Sequence, residues 1–149
     1  MRKALPLRTA FISTSQIMPR LYIAMYEAGT GNYEHWALCL DDGDGDVPTI
    51  FEVSGEHGTF EKSAVQDEPE SRLLHKRNVA VGEVNERDIP EFMKVIDDAH
   101  VDNETTEWNC QDYVIEILET LYEECIIDED DKEYKRGMKK AKDKYFGPL

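Results

Sequence analysis

Residues 107–118, Glu107-Trp108-Asn109-Cys110-Gln111-Asp112-Tyr113-Val114-Ile115-Glu116-Ile117-Leu118, decide how this chain is read. Cys110, Tyr113, Val114, Ile117, Leu118 and then Leu121 recur at three- and four-residue intervals, the spacing of one helical face. Asn109, a residue type suited to capping, stands just before them. The stretch therefore reads as an amphipathic helix with a cysteine at its start. A helix N-terminus offers unpaired N–H groups and the positive end of a dipole, which favour thiolate over thiol. The same N–H groups can stabilise an oxyanion formed after attack on a carbonyl. Cys110 is thus a candidate nucleophile, and the ordinary alternative is a small apolar side chain packed in a core. Cys125 continues near the same face and reads as core.

A nucleophilic thiol needs a base. Upstream, Tyr33-Glu34-His35-Trp36-Ala37-Leu38-Cys39-Leu40 reads as a strand, and the acidic, glycine-containing stretch 41–46 after it as a turn. A second strand follows in Thr49-Ile50-Phe51-Glu52-Val53-Ser54. Side chains alternate along a strand, so His35, Ala37 and Cys39 share one face, and Trp36, Leu38 and Leu40 the other. Glu52 lies opposite in facing to Phe51 and Val53, where a cross-strand contact with His35 is sterically reasonable. A carboxylate there orients and stabilises an imidazolium. Taken singly, His35 also reads as a hydrogen-bonded strand histidine and Glu52 as a solvent-facing residue.

The remaining chain supplies more strands and helices. Residues 21–26 read as the strand before the histidine strand, and residues 9–13 as an earlier one. Residues 58–62 and 78–82 are short strand candidates, with a polar surface loop over 66–71. Asn85-Glu86-Arg87-Asp88-Ile89-Pro90 has helix-start chemistry and leads into Phe92, Val95, Ile96 and Ala99 on one face. A last helix spans about 130–146, acidic at its start and lysine-rich toward its end, as the helix dipole favours. The fold class is α+β, a small antiparallel β-sheet packed against helices. The length of 149 residues fits one domain over 1–149.

The order of these pieces resembles the circularly permuted NlpC-type branch of papain-like proteins, to which lecithin:retinol acyltransferase and its relatives belong. The matching residues are His35 with Trp36-Ala37-Leu38, then Asn109-Cys110 with Tyr113-Val114, spread over about residues 21–122. The resemblance implies a permuted papain-like core, with Glu52 at the family's third, imidazole-orienting position. Acyltransferase relatives carry Asn-Cys-Glu-His where this chain has Asn109-Cys110-Gln111-Asp112, and often a histidine where it has Glu52. The likeness accordingly bears more on fold than on lipid substrates.

Together these readings give a catalytic set of Cys110, His35 and Glu52, for acyl transfer from an amide, ester or thioester. Tyr33, Asn109 and Gln111 are the candidate substrate-binding residues, with Asn109 alternatively only the helix cap. A catalytically silent binding module on the same fold is the competing expectation. His57 is a rival base, set in a Gly55-Glu56-His57-Gly58 turn.

Composition narrows the partners. A net charge of −15 argues against nucleic acid and anionic membrane surfaces, both of which require a basic patch. The expected partner is a small-molecule, peptide or acyl substrate, with no cofactor. Cys39, Cys110 and Cys125 form no metal-ligand spacing and no disulfide framework, which points to a reducing, cytoplasmic setting. Asp42, Asp44 and Asp46 resemble the start of a calcium loop, but Val47 and Val53 occupy the positions that need glycine and glutamate. No metal is expected, and no transmembrane segment, since no apolar run approaches ~20 residues.

Overall fold

The computed structural model describes residues 18–29, 31–43 and 45–149. Its five strands are β1 (Arg20–Tyr26), β2 (His35–Asp41), β3 (Thr49–Ser54), β4 (Glu61–Gln66) and β5 (His75–Glu83). They form one antiparallel sheet in the order β4-β3-β2-β1-β5. Three α-helices follow: α1 (Ile89–Asp98), α2 (Cys110–Glu123) and α3 (Lys132–Lys140), the last running into a π-helical turn over Ala141–Tyr145. The α+β class read from the sequence is the observed one. The strand expected over residues 9–13 lies outside the described residues.

Alternation on the strands divides the apolar residues between two layers. Trp36, Leu38, Leu40, Phe51 and Val53 enter a large core with the buried faces of α1, α2 and α3. Ala24, Tyr26, Ala37, Cys39 and Ile50 form a second, smaller layer on the other face. Phe92, Val95 and Ile96 carry α1 into the large core, and its Phe92 ring meets Phe51 edge-on at 5.6 Å. Lys62 from β4 closes the end of α1, donating to the carbonyls of Ile96, Asp97 and Ala99 at 3.3, 2.7 and 3.3 Å. A cation there meets the negative end of the helix. In α3, Gly137 lies against the Ala80 carbonyl of β5, where a side chain has no room. Residues with bulkier side chains at 137 would push α3 off the sheet.

The loop expected over 66–71 is more than a surface connection. Residues 67–74 cross from one edge of the sheet to the other and close the smaller layer. Pro69 is buried, and its carbonyl accepts from the Tyr26 hydroxyl at 2.9 Å. Asn78 donates to Glu70 at 2.5 Å, and the Glu27 N–H donates to the Leu74 carbonyl at 2.9 Å. Other boundaries also differ from expectation. The short strand placed at 58–62 is displaced to Glu61–Gln66, because Gly55 and Gly58 hold positive φ and prolong the turn. The strand at 78–82 extends to His75–Glu83 through pairing with β1. The last helix changes from α to π at Ala141.

Cys125 does not belong to the core. It is exposed, with φ 61°, one residue past the cap of α2. Its N–H donates to the Tyr122 carbonyl and that of Ile126 to Leu121, the paired bonds of a Schellman ending. The left-handed turn reverses the chain, so Ile126 and Ile127 take the buried positions instead.

Candidate active site

Asn109 fixes the start of α2. Its side chain accepts from the Gln111 N–H at 2.9 Å, and Asp112 accepts from the Asn109 N–H at 2.9 Å, a reciprocal capping box. Trp108 locks the entry by donating to Glu116 at 2.9 Å. These contacts leave Cys110 as the first helical residue, 3% exposed, with its sulfur 3.9 Å from the Glu34 carbonyl. The cap's side chain takes the Gln111 N–H, the one next after that of Cys110 along the helix.

His35 is brought to the same place by the end of β2. The β2–β3 pairing Leu38↔Phe51 puts Glu52 diagonally across from His35 on the smaller-layer face. His35 Nε2 lies 2.8 Å from Glu52 Oε1, and the imidazole ring stands 5.8 Å from that of Tyr26. This leaves Nδ1 for the thiol, and His35 and Cys110 line one cavity. Burial disfavours a charged imidazole, but hydrogen bonds with Cys110 and Glu52, and their negative charges, outweigh it. The His35 pKa is pushed up to about 9. A charged imidazole in this position favours the thiolate form of a neighbouring cysteine.

Glu52 is held in turn by a residue that the sequence did not single out. Arg72, at the end of the crossover, donates to Glu52 Oε1 at 3.0 Å and Oε2 at 2.8 Å. Burial raises the Glu52 pKa, yet the bonds and charges of His35 and Arg72 reverse this and hold it below the usual carboxylate range. The fork of the guanidinium also fixes the carboxylate's orientation. The only cue to Arg72 was a lone cation after Asp67, Glu68 and Glu70. Nothing in local pattern tells that residues 67–74 turn inward over the sheet.

The remaining sequence candidates separate. Tyr33 is half-buried and lines the cavity with Cys110 and His35; burial and the Cys110 charge both raise its pKa. Asn109 faces a neighbouring hollow, its side chain committed to the cap. Gln111 is not available to substrate. It is fully buried, donating to the Glu34 carbonyl at 2.8 Å and accepting from the Gly147 N–H at 2.8 Å. A buried amide is stable only when both ends are paired, and this one ties β2 to the chain beyond α3. His57 lines the neighbouring hollow with Asn109 and is not among the residues lining the thiol cavity, its ring 5.7 Å from Phe60.

Glu34 completes the support. It is 3% exposed and bonded to Arg77 Nη1 at 2.6 Å and Lys76 Nζ at 3.0 Å, and Arg77 packs over the Tyr145 ring at 3.9 Å. The residue preceding His35 is thus anchored through its side chain, while its carbonyl receives Gln111. Among the described residues no group of histidines, cysteines and carboxylates is arranged to hold a metal ion. Nor is any described helix long and apolar enough to cross a membrane.

No curated protein matches the chain, and no solved structure does. One family model covers residues 21–128, a stretch that includes β1 from Leu21, the other four strands, α1, α2 and every residue of the cavity just described. By that match the chain belongs to the family described as "Family of unknown function (DUF6540)".

Proposed function

We propose that this protein is a cysteine-nucleophile acyl-transfer enzyme, built on the permuted papain-like plan, with Cys110 as nucleophile, His35 as acid and base, and Glu52 as the group that orients the imidazole. The observation that carries the reading is His35, fixed by Glu52 at 2.8 Å through Nε2 while facing the Cys110 cavity. A cysteine, a histidine and a carboxylate in that order are the parts of an activated thiol.

The Cys110 thiolate forms a C–S bond to the substrate carbonyl, whose π electrons move to oxygen and are met by the Cys110 N–H. Collapse expels the amine, alcohol or thiol, which takes the proton from His35 Nδ1. His35 then removes a proton from water, or from an amine or alcohol, which attacks the thioester and releases Cys110. Water makes the protein an amidase, peptidase or thioesterase, and the other acceptors make it an acyltransferase. Free thiols of this kind suit a reducing, cytoplasmic setting.

The low exposure of Cys110, 3%, favours a second reading, a silent binding module that uses the same cleft. Labelling with iodoacetamide across a pH series separates the two. The enzyme reading expects Cys110 to react at pH 6, where ordinary thiols near ~8.5 are protonated, and His35→Ala to slow it at least tenfold. Cys110 reacting no faster than Cys125, or unaffected by His35→Ala, removes the catalytic reading. Turnover also carries a sign. His35 must be charged to protonate the leaving group, so activity is expected to fall as the pH rises through about 9.

A further inference from the structure

One wall of the cavity is not used by the chemistry above. The crossover ends at Leu73 and Leu74, and both line the cavity that holds Cys110 and His35. Leu73 is 87% exposed and Leu74 47%. Leu74 also has φ 73°, a region that branched side chains rarely adopt, and its carbonyl is tied to the Glu27 N–H. Behind them Val53 and Phe60 continue the apolar surface into the core. Apolar groups displayed at the rim of a reactive cleft are a contact surface for whatever enters it.

The floor of the cleft has a different character. Pairing of β2 with β3 stops at Leu38↔Phe51, while β3 stays paired with β4 as far as Ser54↔Glu61. From residue 52 to 54 the edge of β3 facing β2 has no ladder partner; Val53 is buried there, and Ser54 and Gly55 lie exposed on the cavity wall. A strand edge of this kind pairs with an extended peptide backbone. Charge narrows the choice further. The two cations at the cavity, His35 and Arg72, are both engaged by Glu52, and the remaining charged lining residue is Glu27. An acidic side chain finds no answering charge here and faces a chain of net charge −15. The volume, about 350 Å³, is at the small end for ligand cavities.

Given Cys110 as the acylating nucleophile, we propose that the substrate is a peptide. Its main chain lies along Ser54 and Gly55, and an apolar side chain of leucine or phenylalanine size rests on Leu73 and Leu74 beside the scissile carbonyl. Leu73 is then a specificity-determining residue supplied by the crossover.

Binding to the Cys110→Ala protein tests this without requiring turnover. Acetyl-Gly-Leu-Gly-amide, its Ala and Asp analogues, and dodecanamide are titrated by calorimetry, into that protein and into Cys110→Ala/Leu73→Ser. The Leu peptide is expected to bind about tenfold or more tightly than the Ala and Asp peptides. Leu73→Ser removes that preference without unfolding the protein, since Leu73 is exposed. Equal binding of the three peptides, no peptide binding, a preference unchanged by Leu73→Ser, or dodecanamide binding best each overturns the proposal. Acylation of Cys110 by the benzyl ester of acetyl-Gly-Leu, followed by intact mass, reports separately on the nucleophile. Its failure alongside selective Leu-peptide binding removes the enzyme and leaves a peptide-binding cleft.

Discussion

Trp36, Leu38 and Leu40 point from β2 into a core closed by three helices, whereas Ala37 and Cys39 point from the same strand into a thin layer closed by a short crossover. The first side is held by apolar area. The second is held in good part by directed bonds, from Tyr26 to Pro69, Asn78 to Glu70 and Arg72 to Glu52. The candidate site straddles the two. Cys110 comes from the helical side, and His35, Glu52 and Arg72 from the other. Two buried cysteines mark the contrast. Burial, then the charges of Glu52 and Glu70, push the Cys39 thiol up to about 12, while Cys110 has a helix N-terminus and an imidazole as neighbours. Similar burial thus sits among different neighbours, carboxylates around Cys39 and a helix N-terminus with His35 beside Cys110.

Substitutions can break this comparison. Phe92→Ala removes a fully buried ring from the helical side and is expected to destabilise the fold by about 3–5 kcal/mol, read by urea unfolding. A loss well under that means that the helices hold the sheet less than their packing implies. Arg72→Gln acts on the other side. It leaves the buried Glu52 answered by His35 alone, with an expected loss of about 1–3 kcal/mol and a larger fall in kcat than in KM. Arg72→Lys restores charge but not the fork, so its recovery should be partial. Full recovery makes Arg72 a point charge and no more. Because the Glu52 pKa is depressed in the folded state, its stabilising contribution is present above the unfolded carboxylate value. That contribution is lost as pH falls through the folded one, and Arg72→Gln should blunt the loss.

Asn109→Ala sharpens the seam between the two sides. Loss of the cap is expected to cost about 1 kcal/mol and to slow Cys110 labelling, since the first turn carries the thiol. Unchanged labelling would uncouple the cap from the thiol's reactivity. Lys142→Ala, on an exposed pair with Glu119, should change stability by less than about 0.5 kcal/mol. A larger effect would give the surface of the helical side a weight that its burial does not.

The two sides were also unequally legible in the sequence. Periodicity announced the helical side, because a stripe such as Tyr113, Val114, Ile117, Leu118 and Leu121 repeats one contact many times. Alternation sorted His35 and Glu52 onto a common face, and a cap residue before Cys110 placed it at a helix start. The crossover carried no repeat, so Pro69 passed for part of a polar loop and Arg72 drew no reading. Gln111 was misread for a related reason. Its two bonds reach residues 34 and 147, and partners that distant leave no trace in a short window. Cys125 was lost to one residue of helix ending, where a left-handed turn redirects the chain.

The Gln111 tie has a bearing on the order of assembly. On the ribosome the sheet, α1 and α2 are all synthesised before residue 147 emerges, and until then the buried amide oxygen beside Cys110 lacks its donor. Seating of the thiol is therefore completed late in folding, after the architecture around it is already in place. A nascent chain halted short of Gly147 should fold its sheet yet hold the start of α2 loosely.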